Sequence, residues 1–242
     1  MRYAIYFTPP ANDPLSQLAA SWLGRNSFSG MPMEPPEIYG FGIHEIAFHT
    51  ALPRRQGFHA TLKAPFRLAE DMTEAVLLKH LMTYAGSVTP FEIPRLEVAR
   101  LGNFFGLAPS HPCERMNFLA AAVVQEFDRY RAPLSEAEIE WLDPDSLSAP
   151  QFSNLYRWGH PNVMEEFRFH MTLTGPVKGA DIARFKAGLH TVFDPVLQLP
   201  VEVANLALFV EDEPGAPFRV HSLHPMGQVS ARRPARQRLL SA

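Results

Sequence analysis

The sequence predicts an α+β chain of two similar halves, with antiparallel sheets flanked by helices and a central cleft between two matched strands. Three observations carry this. Segments of alternating apolar residues recur between segments of helical periodicity. Phe58-His59-Ala60-Thr61-Leu62, followed by Pro65, returns as Phe169-His170-Met171-Thr172-Leu173, followed by Pro176. The copies lie 111 positions apart (170 − 59), about half of the 242 residues, and a helix follows each.

Met1 to Phe7 reads as a strand stopped by Pro9-Pro10. Asp13 as N-cap and Pro14 at the first helical position open a helix whose apolar face is Leu15, Leu18, Ala19, Trp22 and Leu23, closed by Gly24. Ser27 to Gly42, rich in Pro, Gly and Met, is a loop expected to border the site. After the first motif, Val76, Leu77, His80, Leu81 and Tyr84 mark a second helix that stops at Gly86. Phe91–Ile93, Leu96–Val98 and Phe104–Leu107 alternate as strands. A third helix runs from about Glu114 to Tyr130, with Leu119, Val123, Val124 and Phe127 inward. Ser135 and Glu138 form a capping box, and Pro150 to Trp158 is a helix closed by Gly159. Gly179 to Val192 follows the second motif, with Ile182, Phe185 and Leu189 buried. Val201–Val210 and Phe218–Leu223 close the chain as strands, giving one two-lobed domain over 1–230 and a basic tail over 231–242.

In an extended strand, side chains alternate, so Phe58, Ala60 and Leu62 point inward while His59 and Thr61 share the other face. The second copy does the same with Phe169, Met171 and Leu173 against His170 and Thr172. Two such strands facing one another bring two proton-transfer groups and two hydroxyl donors around one anion, which is equipment for cleaving a phosphoester. His59 and His170 would divide the acid and base roles, and Thr61 and Thr172 would hold the non-bridging oxygens. Strict alternation also sets Lys63 beside Thr61, and Arg168 beside His170, as further phosphate-binding cations. Two imidazoles can move both protons with no metal and no cofactor.

The paired His-x-Thr pattern resembles the 2H phosphoesterase superfamily. The strings Gly57 to Phe66, and Arg157-Trp158-Gly159 with Glu165 to Gly175, are similar to a bacterial branch associated with phosphonate breakdown, as are Tyr3–Pro9 and Leu208–Pro225. Gln56 and His160 depart from it, each standing where that branch is expected to carry an aromatic residue. The resemblance implies a metal-independent phosphodiesterase acting on a small cyclic phosphodiester, with a phosphorylated ribose cyclic phosphate as one substrate. An RNA-end processing or ligating enzyme, and a non-catalytic nucleotide- or phosphosugar-binding module, are the alternatives.

Composition narrows these. A net charge of −3 argues against the broad basic surface that binds long nucleic acid, so the partner expected is a small phosphorylated substrate. The single Cys113 excludes an intrachain disulfide and a cysteine-rich zinc site. His221-x-x-His224 in a strand points its rings opposite ways, which does not suit a shared metal. The absence of an 18-residue apolar run argues against a membrane span, and together with the lone cysteine gives the expectation of a cytoplasmic protein.

Overall fold

The computed structural model describes residues 1–227; the basic tail at 231–242 and the last residues of the expected 1–230 domain lie outside the described residues. In chain order the strands are β1 (Arg2–Phe7), β2 (Ala60–Phe66), β3 (Phe91–Ile93), β4 (Leu96–Leu101), β5 (Phe104–Pro109), β6 (Met171–Thr172), β7 (Val201–Val203), β8 (Asn205–Glu211) and β9 (Arg219–Pro225). The helices are α1 (Pro14–Leu23), α2 (Ile43–His49), α3 (Ala51–Gln56), α4 (Glu74–Ser87), α5 (Glu114–Phe127), α6 (Glu136–Trp141), α7 (Ala149–Trp158) and α8 (Asp181–Phe193).

β1 and β8 are buried on both faces, which is why their sequences are nearly continuous apolar runs. They form the centre of an antiparallel sheet in the order β2-β1-β8-β9, while β4-β5-β6 forms a second sheet and β3-β7 a third. The lobes are therefore not the two halves of the chain. Strands β8 and β9 return to pair with β1, and β6 crosses to pair with β5. Each motif strand ends up at the edge of its sheet, and β2 and β6 approach one another. One face of β1 (Tyr3, Ile5, Phe7) enters the main core with the helices, and the other (Ala4, Tyr6) joins Ala207, Phe209 and Phe218 in a second, smaller apolar cluster.

Helix ends follow their capping chemistry. The Asp13 carboxylate accepts from the Leu15 N–H at 2.8 Å, and Gly24 closes α1 with φ 75°. Ser148 and Gln151 form a capping box on α7, and Gly159 closes it with φ 76°. The third predicted helix ends at Phe127 and tightens into a 3₁₀ turn, Asp128–Tyr130. Of the residues that mark α4 in the sequence, Val76 is half exposed, and Leu77 and Leu81 carry the buried stripe. Helices α2 and α3 occupy 43–56, a stretch to which no element is assigned from the sequence above. Among the described residues no helix is long and apolar enough to cross a membrane.

Candidate active site

Gly57 ends α3 in the left-handed region (φ 81°), and a Cβ there would lie 2.4 Å from the Ser27 hydroxyl, so a side chain is excluded both by conformation and by space. The chain then passes through buried Phe58, whose carbonyl accepts from the Thr8 hydroxyl at 2.8 Å, and places His59 immediately before β2. His59 Nδ1 lies 2.9 Å from the Gly57 carbonyl. A carbonyl only accepts, so Nδ1 carries the proton and Nε2 presents its lone pair. The Thr61 hydroxyl sits 3.3 Å from that Nε2.

The second motif repeats this anchor. His170 immediately precedes β6, and its Nδ1 lies 2.9 Å from the Arg168 carbonyl, again two residues back. Both motif histidines thus stand at strand entrances, not within the strands, with the same ring nitrogen tied down. β6 is short because the Thr174 hydroxyl takes the Phe105 N–H at 2.9 Å, which ends the ladder. Thr172 is paired with Gly106 of β5, where a Cβ would meet the Met171 carbonyl at 2.8 Å. The Trp22 indole N–H donates to the Leu173 carbonyl at 2.8 Å, fastening α1 to this strand. Phe7 and Phe169 meet in the core with ring centroids 6.4 Å apart.

The two imidazoles are close enough that charge on His170 lowers the proton affinity of His59. Their surroundings differ. The His59 ring lies on Tyr6 with centroids 3.7 Å apart and an interplanar angle of 13°, and Phe209 is 5.7 Å away. Burial pushes the His59 pKa down to about 4, against an upward pull from the Gly57 carbonyl. His170 has a tilted neighbour, Phe104, at 5.7 Å. Among the described residues no group of three or more His, Cys, Asp or Glu side chains converges as a metal-binding cluster.

Lys63 is not on the cleft face. The register passes from Tyr6 opposite Thr61 to Ile5 opposite Lys63, so β2 carries an extra residue there and the alternation that would align Lys63 with Thr61 is broken. Lys63 instead shares the side of Ile5 beneath the helices, 2% exposed, with Nζ 3.1 Å from Asp128 Oδ1. Burial lowers its pKa to about 8, with Asp128 pulling the other way. Arg168 is exposed, and its Nη1 donates to the Glu165 and Phe167 carbonyls, both at 2.7 Å, so its charge caps its own loop. The sequence did not single out Tyr6 as the partner of His59; its place on the β1 face opposite the main core was the available signal. At the start of the 27–42 loop Ser27 abuts Gly57, and near its end Phe41 packs on Phe185 of α8.

Residues 61–219 match the family described as "Protein of unknown function (DUF1045)", and the chain belongs to that family. It is 38% identical over 221 residues to a protein of Janthinobacterium sp. (strain Marseille) and 37% identical over 220 residues to one of Laribacter hongkongensis (strain HLHK9), both named ribose 1,5-bisphosphate phosphokinase PhnN. These alignments cover 90% and 91% of this chain, and the chain spans about half the length of both curated relatives, 49% and 50%. A solved phosphoesterase chain is similar at 13% identity and a TM-score of 0.42, over 94% of this chain and 98% of that one.

Proposed function

We propose that this chain is a metal-independent phosphodiesterase that opens a small cyclic phosphodiester by general acid and base catalysis between His59 and His170. The observation that carries the reading is the matched anchoring of the two rings. Each Nδ1 is held by the carbonyl two residues back, so each Nε2 is left to exchange a proton with whatever lies between them. One imidazole takes a proton from the attacking water and the other gives one to the departing ester oxygen. Thr61 and Thr172, each two residues beyond its histidine, supply hydroxyls to the charge that grows on the non-bridging oxygens.

The substrate proposed is a phosphorylated ribose cyclic phosphate, in phosphonate breakdown. The relatives' name supports the sugar: opening a 1,2-cyclic phosphate of 5-phosphoribose at O2 yields ribose 1,5-bisphosphate, the compound in that name. The kinase activity in the name is not proposed for this chain. It spans half of each relative, and its sequence contains no Gly-x-x-x-x-Gly-Lys-Ser/Thr loop of the kind that cradles a triphosphate.

Turnover of a panel of nucleoside and ribosyl cyclic phosphates, with and without chelator, tests the proposal. The expected result is release of a phosphomonoester at a rate indifferent to chelator, with a bell-shaped pH profile, and roughly a hundredfold loss or more in His59→Ala or His170→Ala. Activity that disappears with chelator and returns with metal, or that survives loss of both histidines, refutes it.

A further inference from the structure

We propose that Tyr6 is a positioning residue that holds His59 as the proton-accepting member of the pair and leaves His170 to donate. This rests on the two-histidine reading and adds a division of labour to it. A ring held only by one hydrogen bond through Nδ1 keeps freedom to swing about that contact. At His59 the Tyr6 face removes it: with centroids 3.7 Å apart and planes 13° from parallel, both the plane of the imidazole and the aim of Nε2 are set. His170 has the same backbone anchor, but its aromatic neighbour Phe104 is 5.7 Å away and tilted by 53°.

The platform itself is fixed. Tyr6 is 3% exposed, and its ring is packed by Phe209 at 4.9 Å and Phe218 at 6.4 Å within the small cluster on the cleft side of the four-stranded sheet. Burial raises its phenol pKa, so it stays neutral beside His59. The titratable groups that bear on His59 are Tyr6 from β1 and His170 from the β6 motif. Arg2 and Glu211 bear on Tyr6 and are paired with each other, and among the described residues no carboxylate acts on the imidazole to keep it protonated. Burial therefore leaves Nε2 unprotonated at rest, free to receive the Thr61 hydroxyl at 3.3 Å.

In the step assigned, a water O–H proton passes to His59 Nε2 as the water oxygen bonds to phosphorus. The P–O bond of the ring ester breaks, and that oxygen takes the proton carried on His170 Nε2. The product is a phosphomonoester, and solvent exchange resets the two rings.

The test compares Tyr6→Phe, which keeps the stack, with Tyr6→Leu, which loses it. NMR titration of the histidine ring protons reads His59 without any substrate. Wild type and Tyr6→Phe are expected to titrate His59 well below pH 6.5, and Tyr6→Leu to raise it by about one unit or more. In turnover, Tyr6→Leu should lower kcat about tenfold with KM within about twofold, and move the acidic limb of the rate profile as far as the NMR value moves; Tyr6→Phe should do neither. If Tyr6→Leu does not fold, Tyr6→Met, of similar bulk and without a ring face, takes its place. An unchanged His59 titration in the stack-deleted variant, or an acidic limb that follows His170, overturns the proposal. Wild-type protein inert toward every cyclic phosphate sinks the two-histidine reading instead, while the NMR comparison still reports whether Tyr6 governs His59.

Discussion

Replacing Asp128 by alanine should destabilise the protein by about 2–3 kcal/mol at pH 7, and the figure can be built from the surroundings of Lys63. In the native protein the amine is buried with a pKa of about 8 instead of 10.5, even with the carboxylate 3.1 Å away. At about 1.4 kcal/mol per unit, burying the lysine already costs about 3 kcal/mol relative to the unfolded chain. Without Asp128 the pKa falls further, but the penalty has a ceiling: at pH 7 the amine can shed its proton, which costs about 5 kcal/mol from its unfolded value. The lysine thus adds at most the one unit between a pKa of about 8 and pH 7, about 1.4 kcal/mol, and loss of the Arg131 contact to Asp128 at 2.9 Å adds about 1. Urea denaturation of Asp128→Ala, Lys63→Met and the double variant measures this. Lys63→Met should be neutral or stabilising, since Asp128 keeps Arg131, and the double variant should recover most of the loss. Equal destabilisation by Lys63→Met and Asp128→Ala, or none by Asp128→Ala, refutes the account. In the proposed cyclic-phosphate assay the same Lys63→Met protein should turn over at the wild-type rate; a hundredfold fall would return Lys63 to the phosphate.

Two further outcomes are expected. His59 and His160 are both held by burial at a pKa of about 4, below the ordinary 6.5, so the unfolded chain binds more protons in between; the stability they contribute is fully present above pH 6.5 and is lost as pH falls through 4. Urea midpoints at pH 7 and pH 4.5 should differ accordingly, and His160→Asn should reduce the difference; a midpoint flat over that range contradicts the assignment. Gly57→Ala should cost about 2 kcal/mol or more in thermal or urea unfolding and lower turnover more than any loss of folded protein explains, because φ 81° and the Ser27 hydroxyl both oppose a Cβ at the residue whose carbonyl holds His59. Wild-type stability and rate in that variant would show that the Gly57 turn does not aim the ring.

Much of this architecture was written in local chemistry. Asp13 and Pro14, the Ser135–Glu138 box, and Gly24 and Gly159 mark helix ends through bonds within a few residues, and those ends fall where the residues predict. The buried stripe of α5 at Leu119, Val123, Val124 and Phe127 follows from periodicity alone. Lys63 was illegible for an equally physical reason. Alternation gives its face only if β2 pairs without irregularity, and the added residue between Thr61 and Lys63 depends on the register with β1, more than fifty residues earlier. Likewise, the repeated motif suggested two consecutive lobes, whereas β6 pairs with β5 and β8 with β1, pairings that no single segment encodes. The contact of Tyr6 with His59 belongs to the same class: each residue is visible in the sequence, and only the pairing of Tyr6 with Thr61 brings the rings together.

That interleaving also bears on the site. A pair of imidazoles serves as acid and base only if their separation is fixed to within a fraction of an ångström, a demand two independently moving lobes would meet poorly. Here neither motif strand can move with its own half of the chain alone. β2 is fastened to β1, which is fastened in turn to β8 from the other half, and the Thr8 hydroxyl beyond β1 holds the Phe58 carbonyl. β6 hangs on β5 from the first half, while Trp22 of α1 holds the Leu173 carbonyl. Phe7 and Phe169 then close the gap between the two systems inside one core. Shifting one histidine relative to the other would require breaking sheet pairing, side-chain bonds to backbone and core packing at once. The repeat supplies an imidazole and a hydroxyl twice, and the crossed strand order ties the two copies to one another.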